Sequence, residues 1–347
     1  MENLINHKNN IPDINECNNL RDFTVSRKNQ ILYPWQVTGL TDGEGSFCYS
    51  LSNAEHRSDE DLPKGGYAPL RSGIKLNLEF KITQKSHSEG ILHEVKDYFG
   101  CGSVVIDNRK TDTKKFHIKS LSLILNKVIP HFEKYPCLTS KQLNFIDWKS
   151  IAVLMNDKKH LTLNGMQEIK NIISRINNNR PFEDKFNFCK SNLGLKSLNK
   201  DLFSVDYDLP NHWVQTFLTG EGVFYNYLNE ENIKIDSSLE IGQNSHDVAI
   251  LIALQKFFKG GYLKPKYNYI ELSECKNSRL LNRFVFRNTE SIIKFVDEYP
   301  MLTRKQLDYL NWKEIVEIKN NGLHKTKEGL ELIKTLKSQM NLKRDLS

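Results

Sequence analysis

The sequence predicts an α+β protein that contains the same helix-and-strand unit twice. Residues 35–47 and 213–224 each read as a short apolar helix that ends in Gly-Glu-Gly and runs into an aromatic strand. A second repeat, Tyr-Pro-x-Leu-Thr-x-Lys-Gln-Leu, occurs at residues 135–143 and again at 299–307. Because the register after this second repeat holds without a gap, the duplication covers a whole structural unit and determines the architecture.

Regular alternation of apolar and polar residues predicts the strands. Residues 75–83 and 234–241 alternate in this way, which is typical of a strand with one buried face, and shorter alternating stretches occur at 115–119 and 283–287. Two-faced strands of this kind usually form antiparallel sheets that pack on helices with one side. Each unit is therefore predicted to run motif helix, strands, helix, strands, helix.

We predict four segments along the chain. Residues 1–30 are polar and rich in asparagine and form an N-terminal extension, while the two units cover 31–175 and 211–340. Residues 176–210 are polar, lack clear periodicity and are expected to link the units. Residues 54–73 lengthen the first hairpin relative to the second, and we expect a mobile surface loop there.

The composition is that of an ordinary globular protein with a basic balance. Hydrophobic residues make up 39% and charged residues 26% of the 347 residues, and no apolar run approaches the roughly 18 to 20 residues of a membrane span. We therefore expect no membrane partner. The net charge of +7 favours a polyanionic partner. The six cysteines include no Cys-x-x-Cys pair, which argues against a zinc site and for a reducing compartment.

The polar faces of the predicted strands have a basic bias that suits DNA. Lysine and arginine neutralise phosphates, while asparagine, glutamine and arginine read base edges. For any single strand, a solvated surface is the alternative. The residues expected to contact DNA are Ser46, Cys48, Ser50, Lys75, Asn77, Lys81, Thr83, Lys115, His117, Lys119, Tyr225, Tyr227, Lys234, Ser238, Lys264, Arg283 and Arg287.

Glu44 and Glu221 stand at the C-terminal ends of the two motif helices, where the helix dipole disfavours a negative charge. A single acid there is most often an ordinary surface residue, but two acids in the same context suggest a shared purpose. If the two helices pack side by side, the carboxylates meet and repel unless a divalent cation lies between them. Oxygen-only ligation suits Mg²⁺ or Ca²⁺ better than zinc. An acid pair in a basic groove therefore predicts a metal-dependent nuclease.

Residues 37–45, Val-Thr-Gly-Leu-Thr-Asp-Gly-Glu-Gly, resemble the signature of LAGLIDADG homing endonucleases, and residues 214–222 resemble its second copy. With the segment 131–136, the chain is most similar to single-chain, intron-encoded enzymes of fungal mitochondria, from about residue 31 onward. The resemblance implies an αββαββα fold in each half, with the motif helices between the halves and a saddle of antiparallel strands on DNA.

The resemblance also implies roles for individual residues. Glu44 and Glu221 would bind the metal ions, assisted by the backbone carbonyl groups of Gly43 and Gly220. Lys266 matches a lysine near the reaction centre of relatives, and a phosphate contact alone is the alternative. Because the first half has Asp107 at the matching position, a catalytic role there would be one-sided.

Further positions extend or depart from the family pattern. Gln84 and Gln243 are expected to order water or touch DNA. The second motif has Thr216 where the family usually has glycine, and Gln215 where it has a small residue. Because small residues let helix backbones approach closely, we expect a looser or asymmetric interface. Thr219 replaces the usual aspartate, which is not the metal ligand in the family.

The leading interpretation is a monomeric, Mg²⁺-dependent endonuclease that cuts both strands of a long asymmetric DNA site and promotes intron mobility. Ca²⁺ or Mn²⁺ would substitute in the site. The alternatives are a group I intron maturase that binds its host intron RNA, with or without nuclease activity, and a decayed DNA-binding protein. Residues specified by AT-rich codons are abundant, which indicates a mitochondrial gene. The N-terminus resembles neither a secretory signal nor an arginine-rich transit peptide, so no targeting sequence is expected.

Overall fold

The computed structural model describes residues 31–53, 73–199, 202–264 and 281–341. The described residues from Leu32 onward belong to one compact unit. The predicted N-terminal extension, almost all of the predicted loop at 54–73, and Lys266 lie outside the described residues. Within the described ranges, no helix has the length and apolar character needed to cross a membrane.

The first half has the predicted order of helix, two strands, helix, two strands, helix. Its elements are α1 (Pro34–Glu44), β1 (Gly45–Asn53), β2 (Ile74–Lys85), α2 (Gly90–Phe99), β3 (Ser103–Asn108), β4 (Thr113–Ile118), α3 (Leu121–Leu123), α4 (Ile129–Lys134), α5 (Lys141–Asn156) and α6 (Leu163–Ile173). The strands form an antiparallel sheet in the order β1-β2-β4-β3. A π-helical segment, Ile124–Val128, joins α3 to α4.

The segment between the halves, expected as a linker, has structure of its own. It contains α7 (Phe182–Asn192) and a hairpin of β5 (Lys196–Asn199) and β6 (Leu202–Ser204). Three of the eleven residues of α7 are buried, at positions 182, 186 and 189. This stripe is narrow and its other residues are mostly polar, so the helical period is hard to recognise in the sequence.

The second half repeats the order of the first. Its elements are α8 (Asn211–Glu221), β7 (Gly222–Asn229), β8 (Lys234–Asn244), α9 (Val248–Phe257), β9 (Tyr262–Lys264), β10 (Leu281–Phe286), α10 (Thr289–Glu298), α11 (Lys305–Asn320) and α12 (Lys327–Ser338). The sheet order β7-β8-β10-β9 matches that of the first half strand for strand. The predicted pair of antiparallel sheets is confirmed.

Repeated residues make the same contacts in both halves. The indole Nε1 of Trp148 donates to the carbonyl oxygen of Cys48 at 2.9 Å, and that of Trp312 donates to the carbonyl oxygen of Tyr225 at 3.3 Å. Cys48 and Tyr225 occupy the same position in β1 and β7. The long helices α5 and α11 are therefore tied to the first strand of their sheets in the same way.

Each half also contributes one leucine to the core of the other. Leu138 precedes α5 in the first half and is buried in the hydrophobic core of the second half. Leu302 is the repeat equivalent of Leu138, precedes α11 and is buried in the core of the first half. Since burying a leucine side chain contributes about 1.5 to 3 kcal/mol, this exchange couples the folding of the two halves.

Helices α1 and α8 approach so closely that Gly39 leaves no room for a side chain. A Cβ atom built on Gly39 would lie 2.2 Å from Thr216 Oγ1 and 2.5 Å from the carbonyl oxygen of Trp213. Near the other end of the contact, Gln36 Nε2 donates to Gln215 Oε1 at 2.7 Å. The helices are in close contact at this point, so the interface is not looser here, although its residues differ between the two sides. Thr216 is accommodated because the residue facing it is Gly39.

Replacing Gly39 with alanine should lower the free energy of unfolding by about 1 to 3 kcal/mol, because the added methyl group meets backbone that cannot move without its helix. Thr216→Ala at the matching position removes atoms from the same contact and should cost less than about 1 kcal/mol. Denaturant unfolding of both variants measures the difference. Equal losses of unfolding free energy in Gly39→Ala and Thr216→Ala would contradict the close contact at Gly39.

Candidate active site

The packing of α1 against α8 brings the two predicted acids, Glu44 and Glu221, to the same place. A Cβ atom built on Gly220 would lie 3.5 Å from Glu44 Cγ and 3.9 Å from Glu44 Oε1. A Cβ atom built on Gly43 would lie 3.8 Å from Glu221 Oε1. Each carboxylate therefore lies against the glycine that precedes the other, and a larger residue at either glycine would crowd the opposite acid.

The surroundings of both acids favour the neutral carboxyl group. Burial raises the pKa of Glu44, against the opposing charges of Lys305 and Lys141. Burial, followed by the charge of Glu44, raises the pKa of Glu221. Glu44 is nevertheless exposed to solvent and Glu221 is half-buried, so the pair is packed against protein on one side and reaches solvent on the Glu44 side. A cation on the open side would offset both effects and favour the ionised forms.

The carboxylate oxygens of Glu44 and Glu221 suit a hard divalent cation. Within the described ranges, no group of three or more histidine, cysteine, aspartate or glutamate side chains is arranged to hold a metal. An ion here would rely on the two carboxylates together with oxygen atoms of the backbone, water or a bound phosphate. Mg²⁺ and Ca²⁺ accept such donor sets, whereas structural zinc sites use four protein ligands that include cysteine or histidine.

Lys141, at the start of α5, caps the C-terminal end of α1. Its Nζ donates to the carbonyl oxygen atoms of Thr41 at 2.6 Å, Asp42 at 3.0 Å and Gly45 at 2.7 Å. The last carbonyl groups of a helix lack partners within the helix, and a cation there is favoured by the helix dipole. The lysine thus supplies the positive charge that the sequence lacks at the end of α1 itself.

Lys305 does the same for α8. Its Nζ donates to the carbonyl oxygen of Gly220 at 3.0 Å and also to that of Gly222. Burial lowers the pKa of Lys305 to about 8. Sequence reasoning assigned no role to Lys141 or Lys305, although their identical place in the Lys-Gln-Leu repeat was a usable signal. The Gly220 carbonyl, predicted to assist the metal, already accepts this hydrogen bond with one of its lone pairs.

Asp42 lies two residues before Glu44 but is a structural residue. Its Oδ2 accepts hydrogen bonds from the backbone N–H of Leu138 at 2.9 Å and from Trp213 Nε1 at 2.8 Å, and Oδ1 accepts one from Thr139 Oγ1 at 2.6 Å. Burial raises the pKa of Asp42, while these hydrogen bonds oppose the shift. The carboxylate therefore ties α1 both to the segment before α5 and to the opposite helix α8.

Thr219 occupies the equivalent position in α8. Its hydroxyl donates to the carbonyl oxygen of Gln215 at 2.8 Å and accepts from the backbone N–H of Leu302 at 3.3 Å. The threonine thus keeps one of the backbone contacts that Asp42 makes and leaves out the contact to a tryptophan. A structural role at this position is consistent with the absence of an acid in the second motif.

Asp247, which directly precedes α9, joins three segments beside the acids. It accepts hydrogen bonds from the Ser140 backbone N–H at 2.7 Å, from Cys189 Sγ at 2.9 Å and from His246 Nε2 at 3.2 Å. Burial raises its pKa, but the contacts with His246 and the other donors outweigh this and lower it. A polar cavity of about 290 Å³ adjoins this cluster, and Glu221, Lys185 and Gln243 are among its lining residues.

All seventeen side chains predicted to contact DNA lie in the described ranges. Those of the first half are Ser46, Cys48 and Ser50 on β1, Lys75, Asn77, Lys81 and Thr83 on β2, Lys115 and His117 on β4, and Lys119 just after β4. Those of the second half are Tyr225 and Tyr227 on β7, Lys234 and Ser238 on β8, Lys264 on β9, Arg283 on β10, and Arg287 just after β10. Their strand neighbours Phe47, Phe80, Phe116, Phe224 and Phe284 are buried in the cores, so most of these residues face away from the core.

Acidic residues hold the basic side chains of the first sheet in place. Glu79 Oε1 lies 3.1 Å from Lys115 Nζ and accepts from His117 Nδ1 at 2.9 Å. Asp107 Oδ1 lies 3.2 Å from Lys115 Nζ and 3.6 Å from Lys81 Nζ. Sequence reasoning missed Glu79 because its partners on β4 are more than 35 positions away. Lys81 and Lys115 therefore each have an acidic partner within the same sheet.

The second sheet pairs its charges differently. Arg283 lies 2.9 Å from Glu240, and Lys234 lies 3.3 Å from Asp236. The side chain of Ser238 is buried, with 4% of its surface exposed, and its hydroxyl donates to Glu240 at 3.3 Å. Ser238 is therefore far less accessible than the other predicted contact residues.

The chain matches the family model described as LAGLIDADG endonuclease over residues 37–152 and 216–316. It belongs to the LAGLIDADG endonuclease family. The two matches begin in the two motif helices, and the observed αββαββα order in each half confirms the predicted LAGLIDADG fold.

Relatives of known sequence include two proteins of Neurospora crassa. The chain is 26% identical to one named probable intron-encoded endonuclease 2, over 96% of this chain and 73% of that protein. It is 27% identical to one named probable intron-encoded endonuclease 3, over 91% of this chain but only 56% of that protein.

A solved LAGLIDADG structure shares the fold over its whole length. The homing endonuclease I-SmaMI bound to cleaved DNA is 25% identical and superposes with a TM-score of 0.70, covering 90% of this chain and 98% of I-SmaMI. A structure of I-SmaMI bound to uncleaved DNA target in the presence of calcium ions is 24% identical with a TM-score of 0.68, covering 89% and 99%.

Replacing either capping lysine with methionine should lower the free energy of unfolding by about 2 to 4 kcal/mol, because two or three carbonyl groups lose their charged donor. Lys149→Met serves as the control, since Lys149 makes a surface ion pair with Glu133 and should cost less than about 1 kcal/mol. Denaturant unfolding compares Lys141→Met, Lys305→Met and the control. Losses no larger than that of the control would show that the caps contribute little.

Buried His131 should make stability fall in mild acid. Its Nε2 lies 3.2 Å from Thr38 Oγ1 on α1, and burial lowers its pKa to about 3. Because this histidine becomes protonated near pH 6.5 in the unfolded chain, the full contribution of neutral His131 to the free energy of unfolding is present above that pH. Below it, the free energy of unfolding should fall by at most about 1.4 kcal/mol per pH unit.

Unfolding measured between pH 5 and 7.5 tests this dependence on His131. His131→Gln should show a shallower pH slope than the unmodified chain, whereas the exposed His93→Gln should keep the full slope. An unchanged slope in His131→Gln would refute the assignment.

Proposed function

We propose that this LAGLIDADG protein is a site-specific endonuclease that cuts both strands of double-stranded DNA with the help of divalent metal ions at Glu44 and Glu221. The observation that carries the proposal is the reciprocal packing of each acid against the glycine that precedes the other. Membership of an endonuclease family and the similarity to I-SmaMI, whose structure holds cleaved DNA, support the reaction class.

In this proposal the two glutamates bind the ions, with the carbonyl groups of Gly43 and Gly220 as further oxygen donors. Mg²⁺ is the proposed physiological ion, and Ca²⁺ or Mn²⁺ would substitute in the site. Bound ions would supply charge neutralisation at the phosphodiester and an acidified water molecule. The calcium present with uncleaved I-SmaMI DNA is in accord with a divalent-ion site in the family.

The chain itself supplies a fixed position for the two carboxylates. Lys141 and Lys305 hold the helix ends by their carbonyl groups, so the side chains that follow start from a rigid base. Gln243, near the end of β8, lines the cavity next to Glu221 and is placed to order water or contact DNA. Gln84 is its repeat equivalent on β2. Lys266 stays a proposed catalytic or phosphate-binding residue.

The two sheets would bind the DNA backbone and bases on either side of the acids. One chain with unlike halves suits a long asymmetric target and needs no second copy, so we propose a monomer with domains at residues 31–175 and 211–340. Relatives named as intron-encoded in a fungus, and the abundance of residues that AT-rich codons specify, support a mitochondrial location and a role in intron mobility. Host intron RNA is the partner to test under the maturase alternative.

Glu44→Gln and Glu221→Gln should each abolish double-strand cleavage while target binding persists, because the amide removes a charged metal ligand but keeps the shape of the side chain. The assay incubates the protein with DNA that carries the intronless insertion site, with Mg²⁺ and then with chelator. Glu133→Gln, an exposed acid that pairs with Lys149, is the control and should cleave normally.

Two outcomes would contradict the proposal. Binding without Mg²⁺-dependent cleavage by the unmodified chain would exclude the nuclease, and splicing of the host intron would then be measured. A double-strand cut that survives the loss of either glutamate would exclude a shared metal site.

A further inference from the structure

The strands that follow the two acids present different chemistry on the same face. In β1 the outward positions hold hydroxyl and thiol groups, while in β7 they hold a branched apolar and two aromatic side chains. The matched positions are Ser46 and Val223, Cys48 and Tyr225, and Ser50 and Tyr227. This difference lies directly beside the acids, since β1 and β7 begin at the residue after each glutamate.

The three outward side chains of β7 are exposed to solvent. Val223 is 41% exposed, and Tyr225 and Tyr227 are each 44% exposed. The intervening residues Phe224 and Asn226 are buried on the core side. Three exposed large side chains in strict alternation form a largely apolar row along the outward face of β7.

The neighbours of this row suit a nucleic acid. Across the sheet, Tyr227 pairs in register with Asp236, next to the ion pair of Asp236 with Lys234. Arg283 on β10 lies beside Glu240, the register partner of Val223. The register partners of the row are thus Glu240, Ser238 and Asp236. The basic side chains of Arg283 and Lys234, which pair with the two acids, lie next to the row, where they can meet phosphates while the row itself meets base edges.

Of the groups displayed in the major groove, the 5-methyl group of thymine is the apolar one. Successive outward positions of a strand lie about 7 Å apart, close to the rise of two base pairs. The row could therefore contact methyl groups at about every second step. On β1, hydroxyl and thiol groups offer hydrogen bonds instead, although Val105 is exposed on the outer strand β3 of that sheet.

We propose that the β7 row of Val223, Tyr225 and Tyr227 recognises thymine methyl groups in one half of the DNA target, whereas β1 recognises the other half by hydrogen bonds. This inference rests on the proposed nuclease function and names how its substrate is read. It makes the target chemically asymmetric, with methyl contacts concentrated on the Glu221 side.

The test begins with selection of bound duplexes from a pool of random-sequence DNA in the presence of Ca²⁺. The selected duplex is then remade with deoxyuridine for thymidine in one half at a time, which removes only the methyl groups. Loss of one buried methyl group should weaken binding about fourfold. We expect this loss in one half only.

Variants assign that half to β7. In a chain with Val223→Ser, Tyr225→Ser and Tyr227→Ser, deoxyuridine should no longer weaken binding, whereas Tyr225→Phe with Tyr227→Phe should keep the effect. Cys48→Ser on β1 should also leave the deoxyuridine effect in place. Thermal unfolding confirms that each variant is folded.

The inference is overturned if deoxyuridine leaves binding unchanged in both halves of the duplex, or weakens it equally in both. In that case, Mg²⁺-dependent cleavage by the unmodified chain would still support the proposed nuclease function. A pool that yields no preferred sequence, with no cleavage, overturns both. Methyl sensitivity that persists in the triple serine variant would show that other residues read thymine and would also overturn the inference.

Discussion

The close approach of helices α1 and α8 determines the position of every other part of the site. Gly39 admits Thr216 and the backbone of Trp213 at distances that no side chain would allow, and Gly43 lies against Gly220. Because each helix ends in its glutamate and each first strand starts at the next residue, this one contact sets both the spacing of the carboxylates and the origin of both sheets. Loss of the contact would disturb chemistry and recognition together.

This arrangement places two negative charges where the helix dipoles oppose them, and the surrounding chain offsets that cost. Lys141 and Lys305 supply positive charge at the two helix ends. Asp42 ties α1 to α8 through Trp213, and the exchange of Leu138 and Leu302 between cores binds the halves together. The carboxylates thus sit at the ends of two helices that are held by Lys141, Lys305 and Asp42 and by the packing between the halves.

Much of this structure could be predicted from sequence because it is repeated and periodic. Alternation identified β2, β8, β4 and β10, and the duplicated Gly-Glu-Gly located the two acids. The repeat marks Lys141 as a residue of interest, but its capping role depends on carbonyl groups about 100 positions earlier, which no local pattern shows. The role of Glu79 depends on a strand pairing and has no local pattern either. Helix α7 was missed because its buried stripe of three residues is too narrow to stand out among polar neighbours. The different residues of β1 and β7 can be seen in the sequence. Only the structure shows which of them face outward and form a surface.

The pKa of Glu221 is the most direct measure of whether Glu44 and Glu221 form one site. Carbon NMR of the side-chain carboxyl groups can follow this residue through a pH titration without divalent ions, in the unmodified chain and in Glu44→Gln. The charge of Glu44 contributes to the raised pKa of Glu221, so this pKa should fall when Glu44 becomes neutral in the variant. A Glu221 pKa that does not change in the variant would show that the two carboxylates do not share one site.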